Sequence, residues 1–251
     1  MKLDGATSRA IQEALTAAQT GIYSDLTVRC GNKEYPVHKV LACTRFPFLA
    51  KACDGPYEEG RSGVIDLSDD DHDAVDSMIC YLYNGYYPRI ESGTTVSVAQ
   101  PPGSKSWTVD DFGEVTLGLQ VKYLCLHARV YALAEKYAVS GLKEIALRYF
   151  RYVADGETCN LEEFSDASEL AYTTTIDSDR GLRDVVIKAL HENYKALDQD
   201  HVQGLLKRHP NLAIDFIMHY RAKQMAGPVG VWLVTKASRL NWRLYPVCGL
   251  S

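Results

Sequence analysis

Within residues 37–60, "VHKVLACTRFPFLAKACDGPYEEG", a histidine, two cysteines and an acidic pair stand close together. His38 with Cys43 and Cys53 would suit either a thiolate–imidazole nucleophile or part of a metal site. A nucleophile needs its base within hydrogen-bond reach and a third group to orient that base. A structural zinc site needs closely spaced ligand pairs. The seven cysteines are separated by gaps of ten to eighty-nine residues, with no C-x-x-C or C-x-x-H pair. Cys43 and Cys53 therefore read as small buried hydrophobes, and His38 as a packed or hydrogen-bonded histidine. The run Asp69-x-Asp71-x-Asp73 opens like a calcium loop, but Ala74 stands where the loop needs glycine and Cys80 where it needs a bidentate glutamate. No G-x-x-x-x-G-K-[ST], G-x-G-x-x-G or G-x-S-x-G is present. No site for catalysis, cofactor or metal emerges, and a non-enzymatic interaction module is the expectation.

The totals agree with that reading. The 251 residues are 46% hydrophobic and 24% charged, ordinary for a globular chain able to bury a sizeable core. A net charge of −5 argues against a dedicated binder of phosphate backbones. The basic stretch Lys236, Arg239 and Arg243 beside Trp232 and Trp242 offers only a short nucleic-acid-like cluster, so nucleic-acid contact is not the expected role. The first residues carry early charge and no apolar signal core, and no membrane-length apolar run occurs. An odd cysteine count suits a reducing compartment, cytoplasmic or nuclear.

The elements that must position these residues can be read from periodicity. Residues 1–20 hold one helix, with Ile11, Leu15 and Ala18 on a face. Leu26, Val28 and Cys30 alternate as in a strand, Gly31-Asn32 marks a tight turn, and "KEYPV" returns as a hairpin partner with Pro36 near an end or edge. Two short helices follow. Val37, Val40 and Leu41 share a face of the first, Thr44 is placed to cap the second, and Phe48, Leu49 and Ala52 point inward. "VIDL" at 64–67 predicts a short strand. The acids Asp69, Asp70 and Asp71 open a helix with Val75, Met78, Ile79 and Leu82 along one stripe. Residues 88–119, rich in Gly, Pro, Ser and Thr, predict an inserted flexible loop. Helical patterning resumes with Val130, Leu133, Ala134 and Tyr137, is punctuated at Ser140-Gly141, and continues through 160–224. The last helix of that stretch carries Ala213, Phe216, Ile217 and Tyr220. Residues 225–251 read as a poorly ordered tail.

In order, "YSDLTVRCGNKEYPVHKVLACTRFPFLAKACDGPYEE", "GVIDLSDDDHDAVDSMICYLYNGYY" and "YALAEKYAVSGLKEIA" resemble a BTB/POZ domain. The resemblance is strongest to fungal single-BTB proteins with a short helical, BACK-like extension. It implies an α-rich α+β fold, a small sheet flanked by helices at 21–155, followed by the all-helical part at 160–224. It places His38, Phe46 and Phe48 in the structural wall of the fold. It matches Asp25 and Lys39 to a charged pair near a dimer groove, and so implies a homodimer. It matches Tyr57 and Glu59 to the hydrophobic-x-Glu element through which many such adaptors meet cullin-3 in ubiquitin ligases, with Tyr83 at a further position lining that surface. The implied role is a scaffold or adaptor with protein partners and no cofactor. The alternative is a nuclear co-regulator holding a partner peptide in the dimer groove, with weak nucleic-acid contact through the basic tail.

Overall fold

The computed structural model describes residues 5–87, 124–155 and 161–226. The expected loop at 88–119, and the expected tail beyond Ala226, lie outside the described residues. The chain divides into two compact units, Met1–Val186 and Ile187–Ser251.

The first unit opens with α1 (Gly5–Ala18), then β1 (Leu26–Cys30) and β2 (Lys33–Val37). Strand β1 buries Leu26, Val28 and Cys30, as its period-two pattern requires. It pairs antiparallel with β2 from Leu26↔Val37 to Cys30↔Lys33, leaving only Gly31-Asn32 as the connection. After the crossover through α2 (Lys39–Arg45), α3 (Pro47–Asp54) and α4 (Glu58–Ser62), β3 (Val64–Asp66) lies parallel to β1 on its other side. The sheet order is β2-β1-β3. Pro36, which lacks an N–H, thus falls on an edge strand, where that loss is tolerated.

The break between α2 and α3 has a local cause. Phe46 precedes Pro47, whose ring disfavours the helical region for its neighbour, and Phe46 is extended at φ −120°, ψ 99°. Pro47 then takes the first helical position. The expected cap is corrected here: Thr44 does not cap α3 but donates to Val40 O at 2.5 Å, back into α2. The expected inward face of α3 is also narrower, with Leu49 and Ala52 buried and Phe48 still 39% exposed. The Phe48 ring lies 4.7 Å from that of Tyr137, so it covers the core from outside. Val40, expected on the inner face of α2, is largely exposed.

Helix α5 (His72–Asn84) begins where the acids predicted it. Asp71 is the N-cap, and its carboxylate accepts from Ala74 N at 3.0 Å. Val75, Met78 and Leu82 are buried along the predicted stripe. At the other end the Arg45 guanidinium donates to Tyr81 O and Leu82 O at 3.0 and 2.7 Å, where free carbonyls favour a cation.

Helix α6 (Leu124–Lys136) packs on α5, α7 (Ser140–Ala154) and α8 (Leu161–Thr174). The α6–α7 turn is made by Ala138 at φ 56°, and Ser140-Gly141 already belongs to α7. Gly141 is there for closeness: a Cβ would stand 2.4 Å from the Tyr81 hydroxyl. The compact unit continues past the expected boundary near residues 155–160 because α8 packs on α6. The division falls within α9 (Gly181–Glu192).

In the second unit, a 3₁₀ turn (Tyr194–Asp198) leads to α10 (Asp200–Arg208), which buries Val202 and Leu205, and to α11 (Pro210–Ala226). The expected inner face of α11 is corrected: Leu212 is its fully buried residue, while Ile217 and Tyr220 face solvent.

Candidate protein-interaction surface

His38 stands at the junction of the hairpin and α2 and is bonded at both ring nitrogens. Nε2 lies 2.8 Å from Ile22 O and Nδ1 lies 2.9 Å from the Tyr83 hydroxyl. A carbonyl only accepts, so Nε2 donates its proton and Nδ1 accepts from Tyr83. The ring thereby ties the segment before β1 to α5. Tyr83 is 5% exposed and committed to this bond, so its expected place on a partner-facing surface is corrected to an interior one. Burial raises its phenol above the usual range.

Asp25 and Lys39 meet, but through the backbone. Asp25 Oδ1 accepts from Lys39 N at 2.7 Å, at the first turn of α2, whose own preceding residue His38 makes no side-chain cap. An acid at that position satisfies a free helix N–H and complements the dipole. Phe46 is fully buried, with its ring stacked on Tyr81 at 6.4 Å.

The two cysteines of the opening stretch lie on the neighbouring helices α2 and α3. Burial first, then Cys53, push the Cys43 thiol up to about 11. Burial likewise pushes Cys80 up to about 11 and raises Cys30. A reactive cysteine needs the opposite shift, since the thiolate is the nucleophile. No disulfide joins the five described cysteines, and no metal-binding cluster of His, Cys, Asp and Glu occurs among the described residues. No described helix is long and apolar enough to cross a membrane.

Tyr57, Glu58 and Glu59 form a small projecting element. Tyr57 is extended at φ −78°, ψ 165° as the N-cap of α4, and its side chain is 60% exposed. Its ring lies against Gly55, where a Cβ would come within 2.4 Å of a ring carbon. Glu58 and Glu59 occupy the first turn of α4, where the helix dipole favours acids. Gly60 lets α4 approach the end of α3, since a Cβ there would stand 2.7 Å from Cys53 O and 3.0 Å from Gly55 O. An aromatic ring with an acid two residues further on is thus presented where α3 and α4 approach closely.

A second exposed group surrounds the His38 junction. Ile22 is about half exposed, Tyr23 is 92% exposed and Val40 is 70% exposed. Tyr23 sits at φ 62°, a left-handed conformation uncommon for a residue with a bulky side chain. Pattern in the sequence does not single out Ile22 or Tyr23, and it places Val40 on the inner face of α2. Ile22 and Tyr23 merge into the approach to β1, and Val40 fits the apolar period of α2; only solvent exposure separates them from core residues.

Three strands in the order β2-β1-β3, flanked by short helices and followed by a helical region, define an α-rich α+β architecture of the BTB kind. Residues 16–97 match the BTB/POZ domain family, from within α1 through α5 and beyond it. The chain therefore carries a protein–protein interaction module.

Proposed function

We propose that this protein is a homodimerising scaffold or adaptor that uses the Tyr57–Glu59 element to engage cullin-3. The observation that carries the reading is the exposed Tyr57 ring seated on Gly55, with Glu59 in the following turn of α4. A ring supplies area that is desolvated on contact, and a nearby acid supplies orientation; such anchors dominate interface energies. Ile22, Tyr23 and Val40, grouped around the His38 junction and the Asp25–Lys39 contact, supply the apolar surface for self-association. Helices α8–α11 then form the BACK-like extension of a fungal-type adaptor.

Calorimetric titration with a cullin-3 N-terminal domain tests this directly. The wild-type chain is expected to bind at sub-micromolar Kd. A Tyr57→Ala/Glu59→Ala variant is expected to lose about 2 kcal/mol or more, roughly thirtyfold in affinity. Absence of binding by the folded wild-type chain would overturn the cullin-3 assignment.

A further inference from the structure

Tyr57 also has the properties of a phosphoryl acceptor. Five tyrosines among the described residues are exposed: Tyr23, Tyr57, Tyr152, Tyr194 and Tyr220. A kinase must bring the acceptor hydroxyl between its catalytic aspartate and the γ-phosphate of ATP, so the residue has to project from accessible backbone. Tyr152 and Tyr220 lie within α7 and α11, and Tyr194 lies in the 3₁₀ turn. Tyr23 is left-handed at φ 62°. Tyr57 alone of the five stands on extended backbone, and Gly55 just before it is extended too, at φ −78°, ψ 167°. The ring edge facing Gly55 is Cδ2–Cε2, and among the described residues no hydrogen bond occupies the hydroxyl.

The charge beside each ring separates Tyr57 further. Asp54 stands three residues before it, and Glu58 and Glu59 follow it directly. None of these acids is in an ion pair among the described residues. The nearest bases along the chain are Lys51 and Arg61, six residues before and four after. Tyr152, Tyr194 and Tyr220 instead each have a base next to them, in Arg151, Lys195 and Arg221. Kinases choose acceptors partly by such charge patterns, and an acid-flanked tyrosine fits a cleft lined with Lys and Arg.

We propose that Tyr57 is a phosphorylation site for a tyrosine kinase that prefers acid-flanked acceptors, and that the phosphate closes the Tyr57–Glu59 surface to its partner. The Tyr57 hydroxyl oxygen attacks the γ-phosphorus of ATP and forms the new O–P bond. The bond from that phosphorus to the bridging oxygen breaks, ADP leaves with the electron pair, and the phenol proton passes to the kinase's aspartate. The product places a charge of about −1.5 to −2 on the ring, beside Glu58 and Glu59. A ring that must be desolvated on contact then carries a strong charge, which opposes binding. The acceptor assignment stands without the cullin-3 reading, whereas the closing of the surface rests on it.

The test incubates the full chain with magnesium ATP and a purified tyrosine kinase of that preference, and maps phosphate by peptide mass spectrometry. A synthetic peptide of residues 51–63 is the reference substrate. Phosphate is expected on Tyr57 faster than on any other described tyrosine. Tyr194→Phe should be labelled like the wild type, and Tyr57→Phe should lose the main phosphate without another tyrosine taking it up. The assignment is overturned if neither peptide nor chain is labelled, if only the peptide is, or if Tyr23 or Tyr194 is labelled as fast as Tyr57. The phosphorylated chain is then titrated with a cullin-3 N-terminal domain. Its affinity is expected to be lower by about tenfold or more, and a tyrosine phosphatase should restore it. Equal affinity before and after phosphorylation would overturn the closing of the surface while the cullin-3 reading stands. No binding by the unmodified chain would overturn the cullin-3 reading and the closing with it, and the mass spectra would still decide the acceptor.

Discussion

His127 is a residue whose consequence follows from burial alone. It lies on α6 with its Nδ1 2.8 Å from the Tyr87 hydroxyl, and its ring is near those of Tyr87 and Tyr149. Removal from water disfavours the imidazolium and lowers its pKa to about 3. In the unfolded chain the same ring titrates near 6.5. Between those values the unfolded state binds the extra proton, so the folded state loses stability as pH falls below about 6.5, at up to about 1.4 kcal/mol per pH unit. Urea unfolding between pH 7.5 and 5 should show this slope, and His127→Gln, which keeps a partner for Tyr87, should flatten it. An identical slope in the variant would mean that His127 does not carry the effect.

Helix α5 supports the candidate surface, because it holds Tyr83 against His38 and presents its last carbonyls to Arg45. Its N-cap is the point at which it can be weakened without touching the site. Asp71 both caps Ala74 N and forms a 3.4 Å ion pair with Arg129, each side chain being more than a third exposed. Exposed pairs of that kind contribute from nothing to about 1 kcal/mol, whereas an N-cap is worth about 1 and up to about 2 kcal/mol. Asp71→Ala should therefore cost about 1 kcal/mol in urea unfolding, and Asp71→Asn, which keeps the cap and loses the charge, only a few tenths. Equal losses in the two variants would assign the effect to the ion pair instead.

At the scale of the whole molecule, the proposed scaffold role requires that two copies associate. Isolated large apolar side chains are common on surfaces, but Tyr23 and Val40 are exposed beside Ile22 and the His38 junction. Tyr23 also has a left-handed backbone conformation that is uncommon for a residue with a bulky side chain. Sedimentation velocity should find a dimer for the wild-type chain, and Tyr23→Asp/Val40→Asp should shift it to monomer without changing circular dichroism. A monomeric wild type across the micromolar range would remove self-association from the proposed role and leave the Tyr57 contact standing by itself.

Pattern in the sequence determined the hairpin, the β3 strand, the stripe of α5 and the acidic start of that helix. Each rests on local chemistry: alternation along a strand, a helical period, a carboxylate beside free N–H groups. It also placed Tyr57 and Glu59 together, because they are neighbours in the chain. Tertiary structure decided what depended on distant partners. Tyr83 turned inward because His38, forty-five residues away, offers its ring nitrogen. Gly141 serves contact with Tyr81 rather than a helix break, and Phe48 remains half-outside against Tyr137. On α11 the apolar residues run around the helix, so periodicity could not choose between Ile217 and Leu212 for the core. Burial is a property of the pair of surfaces that meet, and a helix with two apolar faces leaves that choice to the fold.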